Sequence, residues 1–328
     1  MIDLTDTPLP TLAPRRANSH KGDYGRAMIV GGSRGMSGAV AMAGLACLRS
    51  GAGLVTLAVP ESVQQTVAGL CPAYTTHGLV EDDRGRIHWA NAYDLAVIAP
   101  DYDAWAVGPG LGGPGLGGPG MGGPGMGGPG LSQTGVGWPD QSAELVGRMY
   151  ADWPGPLLVD ADGLNALAAQ EHTHGPLLTR PGGPRILTPH PGEFATLAGG
   201  GDAKAAASSG EDARRVDAAA ELAYRDETSQ TVVVLKGHRT VVTDGRRYAL
   251  NPTGNPGMAT GGSGDVLTGV ITALVCQELP PLEAARLGVF VHGRAGDLAA
   301  AKTGQASLIA TDLIDHLPPA FHSLAQKR

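Results

Sequence analysis

"RAMIVGGSRGMSGAVAMAGLACLRSGAGLVTLAVP", residues 26–60, decides the fold class. It divides into an apolar run closed by two glycines (26–32), a stretch of small and apolar residues closed by Gly51 (38–51), and a second apolar run (53–60). Short apolar runs without polar alternation suit strands covered on both faces, and the stretch between them is long enough for a helix. Parallel neighbours need a crossover of about a dozen residues, so the segment reads as a βαβ unit. A parallel sheet with helices on both faces follows from this one segment.

The same signal recurs at "AWAVGPG" (104–110), "PLLVDADGLNAL" (156–167), "RILTPHPGEFATLAG" (185–199) and "TVVVLKG" (231–237). Each is a short apolar run ending in Gly, Pro, Asp or His, and most lead into a helix. Residues 1–328 are therefore expected to form a single α/β domain around a mostly parallel sheet. "RTVVTDGRRYALN" (239–251) reads as a hairpin turned at Asp244-Gly245. "GGGDAKAAASSGEDARR" (199–215) has too little apolar bulk to pack and reads as a surface loop before a helix. Helices are expected at 265–277, Glu283 to Ala301 and Thr311 to Leu317.

With 328 residues, 42% of them hydrophobic, the chain can bury a sizeable core. Its net charge of −7 would repel nucleic acid and anionic membranes, so neither is expected as a partner. Cys47, Cys71 and Cys276 have no metal-ligand spacing, and their odd number suits a reducing compartment. No apolar stretch approaches the ~20 residues of a membrane span. "MIDLTDTPLP" at the start lacks a basic n-region, so the cytoplasm is the expected location.

"GPGLGGPGLGGPGMGGPGMGGPGL" (108–131) repeats every five residues, which excludes the three-residue period of collagen. Its first copy, Gly108 to Gly112, follows an apolar run, where a parallel-sheet protein keeps binding loops. Residues from about 113 to 131 then read as an insert of copies looping into solvent, at small thermodynamic cost. The last copy, nearer the next helix, is the alternative for the functional register.

Chemistry concentrates in "NPTGNPGMATGGSGDVLTGVITAL" (251–274). Gly261, Gly262 and Gly264 let successive N–H groups face one point at the start of an apolar helix, which makes an anion site suited to phosphate. Asp265 in the first turn could serve the helix dipole alone. Beside a phosphate loop it is also where a transfer enzyme keeps a base, and the flanking glycines favour that role. "GGSRGMSGA" (31–39) is neither a Walker A loop nor Gly-x-Gly-x-x-Gly; it is a tight turn or a place where Ala39 lets a flat ligand approach. His190, between two prolines, reads as a ring held for ligand contact. Glu193 is a first-turn carboxylate or a support for a metal-bound phosphate. Asp160 and Asp162 could cap the following helix, capping being expected of at least one, and Asn165 could face the cleft. Lys236 alone would be read as solvated.

Six segments, "HKGDYGRAMIVGGSRGMSGA", "VGPGLG", "VDADGLNAL", "ILTPHPGEF", "VVVLKGHRT" and "NPTGNPGMATGGSGDVLTG", occur in this order from about Ser19 onward. Together they resemble the bacterial ADP-dependent NAD(P)H-hydrate dehydratase family, of ribokinase-like fold. The resemblance implies dehydration of the S-epimer of NADHX or NADPHX, with ADP converted to AMP and phosphate through a phosphorylated intermediate. It implies Asp265 as the base on the hydrate hydroxyl, with the Gly262 and Gly264 amides stabilising the transferring phosphoryl. It places the hydrate against Ala39, Gly110, Gly112, Asn165, His190 and Asp265. The adenine nucleotide falls to Lys236, Gly237, His238, Arg239, Thr240 and Gly264. Mg²⁺ is implied between phosphate oxygens, its protein ligands left open with Glu193 the candidate through water, and a homotetramer as the assembly. Relatives can carry an N-terminal epimerase domain; about 20 residues precede "HKGDYG" here, so no epimerase activity is expected. Two alternatives accompany this reading. One is a ribokinase-like kinase acting on a vitamin-type alcohol. The other is a noncatalytic nucleotide-binding regulator, which the presence of Asp265 disfavours.

Overall fold

The structure, a computed structural model, describes residues 1–112 and 141–325. The Gly/Pro insert expected at about 113–131 lies outside the described residues. Among the described residues the strands are β1 (Ile2–Asp3), β2 (Arg26–Val30), β3 (Leu54–Pro60), β4 (Thr75–Leu79), β5 (Ala104–Val107), β6 (Leu157–Val159), β7 (Arg185–Leu187), β8 (Thr231–Leu235), β9 (Val241–Thr243) and β10 (Arg247–Leu250). They form one sheet in the order β1-β10-β9-β8-β7-β6-β5-β2-β3-β4. From β4 to β8 every neighbouring pair is parallel. β9 runs antiparallel between β8 and β10 and completes the expected hairpin, while β1 adds parallel to β10 at the edge.

The helices are α1 (Ser37–Arg49), α2 (Glu61–Leu70), α3 (Asn91–Ile98), α4 (Gln141–Asp152), α5 (Asp162–His174), α6 (Pro191–Ala198), α7 (Gly201–Ala207), α8 (Asp212–Tyr224), α9 (Ser263–Cys276), α10 (Pro281–Thr303) and α11 (Ala310–Ala325). Successive strand side chains point to opposite faces, and the core divides accordingly. Ala27 and Ile29 of β2 join α1, α2, α9, α10 and α11 on one face. Met28 and Val30 join α3, α4, α5, α6 and α8 on the other. This is the three-layer α/β architecture that residues 26–60 predict.

Close approach between α1 and α9 rests on glycine. A Cβ on Gly269 would lie 2.0 Å from the Ala43 carbonyl oxygen, so only hydrogen fits between the two backbones. Gly269→Ala must push the helices apart and is expected to cost about 1–3 kcal/mol. The measurement is a lower urea midpoint at unchanged slope; a wild-type midpoint would show that the helices have room to spare.

Two segments depart from the sequence reading. Residues 201–207, expected in a loop, form α7, because the alanine run has high helix propensity and Ala207 finds a buried position. α11 continues past Leu317 through Pro318 and Pro319 to Ala325. Leu313, Ile314, Leu317 and Ala320 are buried along one face, and that burial outweighs the hydrogen bonds the prolines forgo.

From β2 the chain proceeds outward to β3 and β4, then crosses back to β5 and continues the other way to β8. The loops after β2 and β5 therefore diverge, and the carboxyl ends of these strands open a crevice. Every segment singled out above for chemistry leaves the sheet at this end or, in α9, meets it there.

Candidate active site

Gly262 stands at the N-cap of α9, and its φ of 91° lies in the left-handed region that glycine adopts without strain. A Cβ there would also sit 2.5 Å from Cε of Met42, so α1 presses the turn from behind. The first-turn amides of a helix have no intrahelical acceptor, and Gly262 brings no side chain to cap them. His292 of α10, buried, meets the Ser263 carbonyl oxygen through Nε2 at 2.9 Å and braces the turn. Burial pushes the His292 pKa down to about 4, so the ring is neutral and Nε2 carries the donated proton.

Asp265 is half-buried in this first turn. Its pKa is pushed up to about 7, first by burial, then by the negative charge of Asp160, with Asp162 and Glu193 adding and Lys236 opposing. A carboxylate titrating near neutrality can accept a proton and release it again.

Asp160, at the end of β6, is buried and does not cap α5. Its Oδ1 accepts from Lys236 Nζ at 2.7 Å and Thr188 Oγ1 at 2.8 Å, and its Oδ2 from Thr268 Oγ1 at 2.7 Å. Burial alone would raise its pKa; the Lys236 charge and these hydrogen bonds overcome that and hold it below the ordinary carboxylate value. β6, β7, β8 and α9 are thus tied together at one buried carboxylate. Lys236 is accordingly an interior cation, not a solvated one, and its Nζ lies 3.4 Å from where a Cβ on Gly264 would be.

Glu193 is buried and lies 3.7 Å from Lys236 Nζ. It forms a capping box with His190: Glu193 Oε2 accepts from the His190 amide at 2.8 Å, and His190 Nδ1 accepts from the Gly192 and Glu193 amides. These bonds fix the exposed His190 ring, which the flanking prolines alone would not. Burial raises the Glu193 pKa, with Lys236 opposing it. Among the described residues no three His, Cys, Asp or Glu side chains gather as metal ligands. A cation here would have to be held largely by ligand oxygens and water, which suits Mg²⁺ beside phosphates.

The first Gly-Pro-Gly-Leu-Gly copy lies at the switch point. Pro109 accepts from the Gly32 amide at 2.8 Å, and the Gly112 amide donates to Asp162 Oδ2 at 3.0 Å. A Cβ on Gly110 would lie 3.2 Å from Cβ of Ala39, so these two expected contacts are neighbours. Gly110 and Gly112 are buried and Ala39 half-buried. Asn165 is exposed on α5. Gly237, His238 and Arg239 are exposed in the loop after β8, and Thr240 is half-buried.

The structure therefore groups Gly262, Gly264, Asp265, Lys236 and Glu193 tightly, with His190 at their edge. Sequence reasoning missed Asp160, Thr188, Thr268 and His292 as parts of this group. The aspartate stood in a quoted segment, but nothing in the chain's order shows that a threonine on α9 reaches it.

A family profile described as NAD(P)H-hydrate dehydratase matches residues 27–116 and 127–319, leaving two repeat units between them unmatched. The chain is 42% identical over 318 residues to the bifunctional NAD(P)H-hydrate repair enzyme of Moorella thermoacetica, covering 96% of this chain and 53% of that protein. It is 38% identical over 324 residues to the corresponding enzyme of Thermofilum pendens, covering 98% and 54%. The chain thus spans about half the length of the curated relatives it matches. The crystal structure of the ADP/ATP-dependent NAD(P)H-hydrate dehydratase of Bacillus subtilis, co-crystallised with ATP and Mg²⁺, superposes with a TM-score of 0.69 at 30% identity, covering 96% and 95% of the two chains. Hydroxyethylthiazole kinase of Pyrococcus horikoshii shares the ribokinase-like fold alone, with a TM-score of 0.53 at 16% identity over 89% and 97%.

Proposed function

The chain belongs to the NAD(P)H-hydrate dehydratase family, and from that premise we propose that it restores NADH and NADPH from their S-hydrates, with ADP converted to AMP and phosphate. The observation that carries the chemistry is Asp265, half-buried beside a cradle of helix-start amides with an interior lysine against it.

Hydroxide is a poor leaving group from the reduced nicotinamide ring, and phosphate is a good one. Asp265 takes the proton of the ring hydroxyl as its oxygen bonds to the β-phosphorus of ADP and the bond to the bridging oxygen breaks, releasing AMP. The Gly262 and Gly264 amides and the helix dipole stabilise charge on the transferring phosphoryl. The ring nitrogen's lone pair then expels phosphate, a ring proton leaves, and the double bond returns. Hydrate and ADP are thereby balanced by NAD(P)H, AMP and phosphate.

Lys236, Gly237, His238, Arg239, Thr240 and Gly264 hold the nucleotide in this reading. Ala39, Gly110, Gly112, Asn165 and His190 border the hydrate, with the first repeat copy in functional register. Mg²⁺, when bound, supplies positive charge against the phosphate oxygens, and Glu193 is the carboxylate available to it through water. We place the reaction in the cytoplasm and expect a homotetramer built on a single ribokinase-like unit. Among the described residues no helix is long and apolar enough to cross a membrane.

Incubation with the S-hydrate and ADP is expected to give NADH and AMP in equal amounts. A stable phosphorylated alcohol without NADH would point instead to a kinase, and tight nucleotide binding without turnover to a regulator.

A further inference from the structure

Arg215, on α8, is buried to 6% relative exposure, and its guanidinium points at main chain. Nη1 donates to the carbonyl oxygens of His238 and of Arg239, the latter at 3.2 Å, and Nη2 reaches that of Leu235 at 3.5 Å. All three belong to the end of β8 and the loop that follows it. Gly237 has φ 148°, and a Cβ there would lie 3.1 Å from Arg215 Nη2, so the loop crosses the guanidinium closely. Arg239 takes φ 50°, a left-handed conformation that a residue with a Cβ adopts only against steric resistance. Asp212, one turn earlier on α8, holds the Arg239 side chain at 3.2 Å and lies 3.9 Å from Arg215.

In a trans peptide the C=O and N–H point in opposite directions. Drawing the His238 and Arg239 carbonyls onto α8 therefore turns the Arg239 and Thr240 N–H groups away from it. The loop is mostly exposed and leads directly from Lys236. A folded segment with its acceptors tied down and its donors turned outward is suited to an anionic ligand. Without the guanidinium, the carbonyls are free to rotate outward and the left-handed Arg239 to relax.

We infer that Arg215 is a positioning residue for the nucleotide, holding the 236–240 loop in the conformation that receives the phosphates of a nucleoside diphosphate. This rests on the proposed function and extends it to a residue that does not touch the ligand.

The test is calorimetric titration of the full chain with ADP, alongside steady-state KM values for ADP and for hydrate. Losing charge-assisted hydrogen bonds to the loop is expected to weaken ADP binding about tenfold or more in Arg215→Met. The KM for hydrate should stay near the wild-type value. Arg215→Lys, which keeps the charge but cannot fork between carbonyls, should fall between the two. Asp212→Asn supplies a surface variant that loosens the same loop should Arg215→Met fail to fold, and it too should weaken ADP selectively. Unchanged ADP affinity in the lysine and asparagine variants overturns the inference. So does an equal loss for ADP and hydrate that follows the melting temperature, which is what a merely structural arginine produces. Wild-type protein that binds no ADP defeats the proposed function itself, so the two failures are distinguishable.

Discussion

Asp265→Asn is expected to lower turnover about a thousandfold while making the protein more stable at neutral pH. The loss follows from removing the proposed general base, a role worth typically 10²–10⁴ in rate. The gain follows from the environment that tunes it. The folded protein keeps the Asp265 proton up to about pH 7, whereas the unfolded chain releases it near the ordinary value of 3.8. Between these values the folded state binds more protons, so wild-type stability falls as pH rises through the window. Asparagine, of the same shape and never charged, removes that slope. Melting temperatures of wild type and variant should diverge as pH is raised from 4 to 7, with the variant higher. Wild-type turnover should fall about tenfold for each pH unit below the Asp265 pKa, since only the ionised carboxylate accepts a proton. A variant with undiminished turnover, or a wild-type rate flat from pH 5 to 7, removes the basis of the mechanism.

Asp160→Ala is expected to cost about 3 kcal/mol of folding stability, the low end for breaking a buried ion pair, because Lys236 keeps only the more distant Glu193 as a counter-charge. Lys236 Nζ would lose its 2.7 Å contact, and Thr188 and Thr268 would lose their shared acceptor. The pH dependence is opposite to that of Asp265. The folded pKa of Asp160 lies below the unfolded value of 3.8, so its contribution is present above that value and lost as pH falls through the depressed one. The pKa values of two neighbouring carboxylates are thus driven apart, that of Asp160 downward by direct pairing with the lysine and that of Asp265 upward by burial and by the Asp160 charge. Pairing Asp160→Ala with Lys236→Met should recover much of the stability but none of the activity, because the double variant removes both buried charges and also the cation facing the cradle. Chemical denaturation of the two single variants and the double variant measures this. Strictly additive losses would show that the two side chains do not interact.

The interior of the sheet was legible because its strands carry their own evidence, whereas the edge strands β1 (Ile2–Asp3) and β4 (Thr75–Leu79) are not apolar runs and were not read. "RAMIV", "LVTLAVP", "AWAV" and "TVVVL" are apolar runs that no exposed strand would tolerate, and glycine or proline closes each nearby. The hairpin after β8 was legible for the same local reason, with Asp-Gly at its turn. α7 was misread because alanine's weak hydrophobicity hides its strong helix propensity. The end of α11 was misread because proline is a local signal, whereas burial of Ala320 against other helices is not.

The candidate site divides along the same line. Glycine spacing before an apolar helix and an aspartate in its first turn are local facts, so the amide cradle and Asp265 could be named from the chain alone. The partners of Asp160 could not: Lys236 lies 76 positions away and Thr268 lies 108 away, and they meet only because the carboxyl ends of β6 and β8 and the first turns of α9 come together. The same holds for His292 beneath the cradle and Arg215 beneath the loop after β8. Periodicity and turn chemistry act over a few residues and set where strands, helices and glycine turns form. Electrostatic pairing in a buried place depends on distance in space, so only the folded arrangement decided which carboxylate is paired, which is left to titrate near neutrality, and which arginine holds the loop.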